Sequence, residues 1–358
     1  MEHALAQTSS VHAAAHPATE NGPSRAGIRG SGDAVLTADP MGAAWRGGGR
    51  ATATLGADLL ELTKPRITRL VTITTAMGYG MAASPRMRGA GLDEWLASLS
   101  VLAATCVGTA LSASGASALN EWWERDRDGL MHRTGDRPLP ARRITPGLAL
   151  GLGAGLCVLG VALLGVAVNW AAAIVSAVTI ATYVLVYTPL KPVTPLSTLV
   201  GAAPGALPPL IGWAAASSGP WRGLTEPGGW SMAAIMAVWQ VPHFLAIAWM
   251  HREDYARGGH RVLPVLDESG TRTAWTTLLW AVTLLPVSLF PAGAMPDRLG
   301  WGYSVVAVAL GLGFLWPALR LAKRRTRADA RVLFIASIVY LPLLFAAMVA
   351  DAVWRVAT

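Results

Sequence analysis

Asn120, Glu124 and Asp128 recur at a spacing of four where a long apolar run gives way to the most charged stretch of the chain. On a helical backbone the three project from one face, about one turn apart. Such a ladder of hard oxygen ligands suits Mg²⁺. This ion keeps several waters and is typically held by one or two carboxylates together with oxygens of a substrate phosphate. The stretch reads NEWWERDRDGLMHRTGDRPLP, residues 120–140, with five carboxylates and four arginines, and Asp126 adds a further candidate ligand. A solvated connector carrying weak surface ion pairs has a similar composition. Against that reading, Asn120 and Glu121 stand directly at the end of the apolar run that closes in SGASALN, so the ladder begins at membrane depth, where polar groups are costly and usually functional. Ser112, Ser114, Gly115 and Ser117 just before it allow close helix approach, as at a packed cavity wall.

A second cluster, HREDYARGGHR at residues 251–261, supplies Glu253 and Asp254 with arginines around them. Alone it reads equally well as a surface turn ended by Gly258 and Gly259. Opposite the first cluster, it completes a candidate site for a metal-bound polyphosphate: carboxylates hold the metal while interspersed cations neutralise the remaining oxygens. His243, in WQVPHF beside Pro242, is a lone histidine on an otherwise apolar segment, open to a structural hydrogen-bonding role or to contact with a large cofactor-like substrate. His132, His251 and His260 fall in polar loops, and no zinc or c-type haem spacing is present.

The elements that must position these residues are membrane helices. The 358 residues are 53% hydrophobic and only 14% charged, well short of a soluble domain. Nine segments are long and apolar enough to span a bilayer, near 66–84, 97–120, 146–167, 169–188, 196–216, 230–250, 272–291, 301–319 and 332–354. The expected fold is therefore all-α, about nine transmembrane helices surrounding an intramembrane cavity, with a tight hairpin at Asn169. The net charge of +8 sits in loops between apolar segments and not along a soluble face, which argues for membrane topology over nucleic acid. Basic residues crowd the loops after the second, fourth, sixth and eighth segments, which predicts a cytoplasmic amino terminus and an outside carboxyl terminus. Both acidic clusters then share the cytoplasmic face with YTPLKPVTPL, residues 187–196, whose prolines predict a non-helical turn presenting Lys191. Many of the fifteen tryptophans fall at predicted helix ends, as in an interfacial belt, while Trp122 and Trp123 lie inside the ladder as candidate cavity walls. Cys106 and Cys157 lie within apolar runs and suggest neither disulfide nor zinc. Residues 1–55 read as a disordered cytoplasmic segment and 56–358 as the membrane domain. The acids Glu2, Glu20, Asp33 and Asp39 argue against a transit peptide, which favours a bacterial plasma membrane.

At the level of motifs, the chain resembles the UbiA family of intramembrane prenyltransferases. The family pattern N-x-x-x-D-x-x-x-D is matched by Asn120, Glu124 and Asp128, with glutamate in place of the commoner first aspartate. Three blocks resemble its haem-directed branch: ERDRDGLMHRTGDRPLP, YTPLKPVTPLSTLVGAAPGALPPLIGW and WQVPHFLAIAWMHREDYARGGHRVLPV. The second family motif, D-x-x-x-D, is incomplete, because Gly258 stands four residues after Asp254; this R-E-D-Y form also marks the haem branch. The resemblance implies transfer of the farnesyl group of farnesyl diphosphate to a vinyl group of haem b, giving haem O and diphosphate. It implies Mg²⁺ on Asn120, Glu124, Asp126 and Asp128, with Glu253 and Asp254 opposite, and a catalytic set of Asn120, Glu124, Asp128 and Asp254. Arg133, Arg137, Lys191 and Arg257 become candidates for the diphosphate, and His243, Trp239 and Tyr187 for haem. A haem A synthase or oxidase assembly factor is an expected partner. A quinone-precursor prenyltransferase would use the same diphosphate site with another acceptor. A membrane haem chaperone would not need the ladder, and a transporter predicts paired broken helices that the sequence does not repeat.

Overall fold

The computed structural model describes residues 54–357, apart from 88, 218 and 220. The segment read as disordered thus lies outside the described residues, except Thr54 and Leu55, which open the first helix. Thr54 caps α1, Leu55–Leu62, through its hydroxyl. Pro65 then stands in the first turn of α2, Pro65–Ala83, where its missing N–H costs nothing. The remaining long helices are α3, Leu92–Asp128, α4, Pro146–Ala167, α5, Trp170–Leu190, α6, Ser197–Ala216, and α7, Pro227–Met250. They are followed by the short α8, Arg252–Arg257, and then α9, Thr271–Ala294, α10, Trp301–Arg324, and α11, Arg327–Arg355. Eight of these are long and apolar enough to cross a membrane. With α2, whose Arg66 and Arg69 lower its hydropathy, they account for the nine predicted segments.

Small residues set the spacing around the site. A side chain at Gly115 of α3 would overlap the backbone of Gly153 and Cys157 on α4, so the two helices run in near backbone contact. Asn169 makes the predicted hairpin between α4 and α5: its Oδ1 accepts from Ala172 N and its Nδ2 donates to Ala214 O, both at 2.9 Å. A large apolar core joins α2, α6, α7, α9, α10 and α11 through Trp213, Trp239, Trp249, Tyr303, Phe314 and Tyr340.

Two local departures bear on the site. Helix α3 has 37 residues, about 55 Å long. A hydrocarbon core takes up only roughly 30 Å of that. Its charged last turns therefore continue as helix past the apolar part, and the ladder sits on the helix itself instead of on the connector. The segment at 187–190 is also helical, contrary to the turn expected from its prolines. A π-helical stretch, Thr182–Tyr187, feeds α5 to Leu190. The Thr188 N–H reaches back five residues to Tyr183 O, and this wider turn relieves the clash that Pro189 would cause in a regular helix. Pro242 likewise sits inside α7 without ending it.

Candidate active site

Asn120, Glu124 and Asp128 line one face of the last turns of α3, all buried. The packing of the chain brings three cations to them from outside α3. Lys191, just beyond α5, places Nζ 2.8 Å and 2.9 Å from the two Glu124 oxygens. Arg137, from the loop after α3, donates to Asp128 Oδ2 at 2.7 Å and lies 3.7 Å from Glu121 Oε1. Lys64, between α1 and α2, donates to Asn120 Oδ1 at 2.9 Å and lies 3.6 Å from Glu121. Glu121 is as buried as the ladder, and among the described residues its Oε2 has no hydrogen-bond partner.

Burial and neighbours set the charges. Burial draws the Lys64 ammonium down to about 8, with the Arg137 charge adding to the effect and the nearby glutamates opposing it. Burial also pulls on Lys191, but Glu124 outweighs it and holds this ammonium above its ordinary value. Arg137 is held up in the same way by Asp128 and Glu121. His260, buried beside Tyr255 with Nδ1 unpartnered among the described residues, is pushed down to about 4 by burial and then by Lys191. It is neutral at pH 7. Lys64 has a left-handed backbone, φ 48°, on the residue before a proline. Such a conformation costs on the order of 1–3 kcal/mol and persists only where its surroundings impose it.

The second acidic cluster does not enter this arrangement as a set. Asp254 is buried and accepts the backbone N–H groups of His132 and Arg133 at 2.9 Å and 3.0 Å, and Arg257 Nη2 at 2.6 Å. Burial raises its carboxyl, but the Arg257 hydrogen bond and the two amides outweigh this and hold it below the usual range. Asp254 therefore ties α8 to the loop after α3. Arg257 is turned toward it, and Arg133 lies over the Tyr255 ring at 5.7 Å. Glu253 is exposed. Asp126 is exposed as well, its carboxylate against Arg125, because six residues after Asn120 the helix has turned to the opposite side. Neither Asp126 nor Glu253 joins the ladder. Trp123 faces outward, and Trp122 packs with Leu62, Leu139 and Ile144 instead of walling the charged cluster.

The haem candidates separate. Tyr187 lies beneath Lys191, 4.7 Å from Nζ, and against Tyr183; Gly201 leaves the space that its ring fills. Trp239 and His243 stack on each other at 4.8 Å on the side of α7 facing α11. There Trp239 Nε1 donates to Ser337 O at 2.9 Å, and His243 Nδ1 lies 2.7 Å from Ser337 Oγ.

Lys64, Glu121 and Thr188 are missing from the sequence-derived set. Lys64 stands just before the first predicted segment, and Glu121 falls outside the four-residue spacing. The available signal was the same for both: a charged residue at the edge of an apolar run needs a partner if it is buried.

The sequence model of the UbiA prenyltransferase family matches residues 71–345. Curated relatives include the protoheme IX farnesyltransferase of Solibacter usitatus, 44% identical over 82% of this chain and 98% of its own length. The protein of the same name from Opitutus terrae is 42% identical over 84% and 96%. Among solved structures, a digeranylgeranylglyceryl phosphate synthase aligns with TM-score 0.65 at 16% identity, covering 83% of this chain and 98% of its own. A UbiA homologue from Archaeoglobus fulgidus, bound to GPP and Mg²⁺, aligns with TM-score 0.57 at 15% identity, covering 82% and 99%. The resemblance read from the ladder and the three blocks therefore holds over nearly the whole membrane domain, and the chain belongs to the UbiA prenyltransferase family.

Proposed function

We propose that this protein transfers the farnesyl group of farnesyl diphosphate to a vinyl group of haem b, giving haem O and diphosphate. The observation that carries the diphosphate half is the buried cluster in which Lys64, Arg137 and Lys191 meet Asn120, Glu121, Glu124 and Asp128. The acceptor follows from relatives above 40% identity, matched over nearly their whole length, that carry the farnesyltransferase name.

The donor set fits Mg²⁺. It offers hard oxygens, one of them an unpartnered buried carboxylate oxygen, without a closed cage of three acidic or histidine ligands among the described residues. That suits an ion which takes most of its ligands from diphosphate and water. Asn120, Glu124 and Asp128, with Glu121, would hold it, and its charge would make the diphosphate a better leaving group. Arg137 and Lys191 would stabilise the negative charge that builds on the departing diphosphate. Tyr187 and Tyr183 wall the cluster beside Lys191, and the surrounding apolar helices limit the water that would capture an allylic cation.

His243 is the candidate for the haem iron. Ser337 Oγ donates its proton to Phe334 O at 2.6 Å, so it accepts from His243 Nδ1–H. This fixes the neutral tautomer with its lone pair on Nε2, the form an axial ligand takes. Replacing His243 by alanine is expected to shift the absorption and EPR spectra of bound haem b, with imidazole restoring them; unchanged spectra would remove His243 from the haem site.

The distribution of basic loops supports a cytoplasmic site in a bacterial plasma membrane, with the amino terminus inside and the carboxyl terminus outside. The deciding assay incubates purified protein with haem b, farnesyl diphosphate and Mg²⁺ and looks for haem O by mass. Prenylation of a hydroxybenzoate with no reaction on haem would overturn the choice of acceptor.

A further inference from the structure

Lys64 pairs with the Glu121 carboxylate at 3.6 Å but gives its hydrogen bond to an amide, and the hydrogen bonds around that amide define its role. Asn120 Nδ2 donates to Glu124 Oε2 and to Thr188 Oγ1, both at 3.0 Å. Thr188 commits its own proton to Tyr183 O at 2.8 Å, so its hydroxyl can only accept from the amide. The amide is thereby fixed with Oδ1 toward Lys64 Nζ, 2.9 Å away. This oxygen is the single atom by which Asn120 can meet a metal cation, and Lys64 covers it.

The turn holds Lys64 in place. Its N–H donates to Glu61 O, and its carbonyl accepts from Ile67 N and Thr68 N. Around it the side-chain charges cancel, with Lys64, Arg137 and Lys191 set against Glu121, Glu124 and Asp128. A divalent cation arriving alone would face three part-buried positive charges and displace an ammonium whose other neighbours are already paired. A diphosphate arriving alone would face three carboxylates. Arriving together they nearly neutralise each other, and the displaced ammonium finds the diphosphate oxygens.

We infer that Lys64 is an exchange residue: it covers the metal-facing oxygen of Asn120 and transfers to the diphosphate when the metal takes that oxygen, so that metal and diphosphate bind as a pair. This rests on the diphosphate reading of the site but not on the choice of haem as acceptor.

The test uses the full chain in lipid nanodiscs, with Mn²⁺ as an EPR-visible substitute for Mg²⁺ and inorganic diphosphate as the probe. In the wild type, diphosphate should tighten Mn²⁺ binding by at least about tenfold, and by linkage Mn²⁺ should tighten diphosphate by the same factor. In Lys64→Met, Mn²⁺ alone should bind about tenfold tighter than to wild type, diphosphate should bind more weakly, and the linkage should fall below about threefold. Lys64→Arg, which keeps the charge, should keep the linkage. Equal Mn²⁺ affinity with and without diphosphate in the wild type would overturn the inference without reference to any variant, as would unchanged Mn²⁺ binding in Lys64→Met. Haem O formation is followed in parallel. Paired binding without haem O counts against farnesyl transfer and leaves Lys64 in its role; haem O without linkage does the reverse.

Discussion

Glu124 and Asp254 are both buried carboxylates in the same charged region of the molecule, yet they are satisfied by different kinds of donor. Glu124 faces the Lys191 ammonium, which comes from beyond α5 and can turn to a new partner, and the Asn120 amide one turn earlier on α3. Asp254 accepts two backbone N–H groups and an arginine on its own short helix, and those amides cannot leave without rebuilding the loop after α3. A carboxylate held by mobile side-chain cations can exchange ligands. One held by main-chain amides is committed to structure. The first cluster is therefore where the proposed metal diphosphate would exchange for these cations, and the second is a clasp between α8 and the loop after α3.

The largest expected effect is on the exchangeable side. Glu124→Gln or Asn120→Ala should lower haem O formation by about 10³-fold or more, because each removes charge placement at the leaving group. Limited trypsin digestion should be unchanged by either variant; new cleavage would mean that the ladder is structural as well.

Asp254→Ala should lower turnover less, by about 10- to 100-fold, while exposing Arg252, Arg257 and Arg261 to trypsin. Each lost amide hydrogen bond to a carboxylate is worth about 1.5–3 kcal/mol. The Arg257 pair adds less, because that guanidinium is nearly half exposed. A variant as inactive as Asn120→Ala but with no change in cleavage would place Asp254 among the metal ligands and erase the distinction.

The clasp also has a pH signature. The Asp254 carboxyl is held below its ordinary value, so its stabilising contribution is fully present above the unfolded value of about 3.9 and is lost as pH falls through the lower folded one. Hydrogen exchange at the His132 and Arg133 amides should therefore keep its protection from pH 7 to 5 and lose it only in stronger acid. Loss already near pH 6 would show that another group holds the loop.

The smallest effect is expected at the exposed acids. Asp126→Asn and Glu253→Gln should change turnover by less than about twofold, since their charges are met by solvent. A larger loss at either would return that residue to the site.

The spans were legible because bilayer thickness fixes helix length, and the match at 146–167 is residue for residue with α4. The ladder was legible because the helical period alone aligns Asn120, Glu124 and Asp128. Asp126 passed as a ligand on composition, although the same period turns it away. The helix through Pro189 was not legible, because it depends on a π-helical turn whose long hydrogen bond leaves no pattern in residue types. The clasp was hidden for a similar reason: backbone N–H groups look alike at every position, so nothing in REDY says which amides Asp254 will accept.

Apolar run lengths, the four-residue spacing and the motif blocks were enough, in the sequence alone, to determine a polytopic helical protein, the alignment of Asn120, Glu124 and Asp128 on one helix face and membership of a prenyl-transferring family. Tertiary structure decided which charges meet. Lys64 and Asn120 are 56 positions apart, Lys191 and Glu124 are 67, and Asp254 and His132 are 122. Local periodicity reports which way a side chain leaves its own helix. Which partner waits there depends on how distant helices pack.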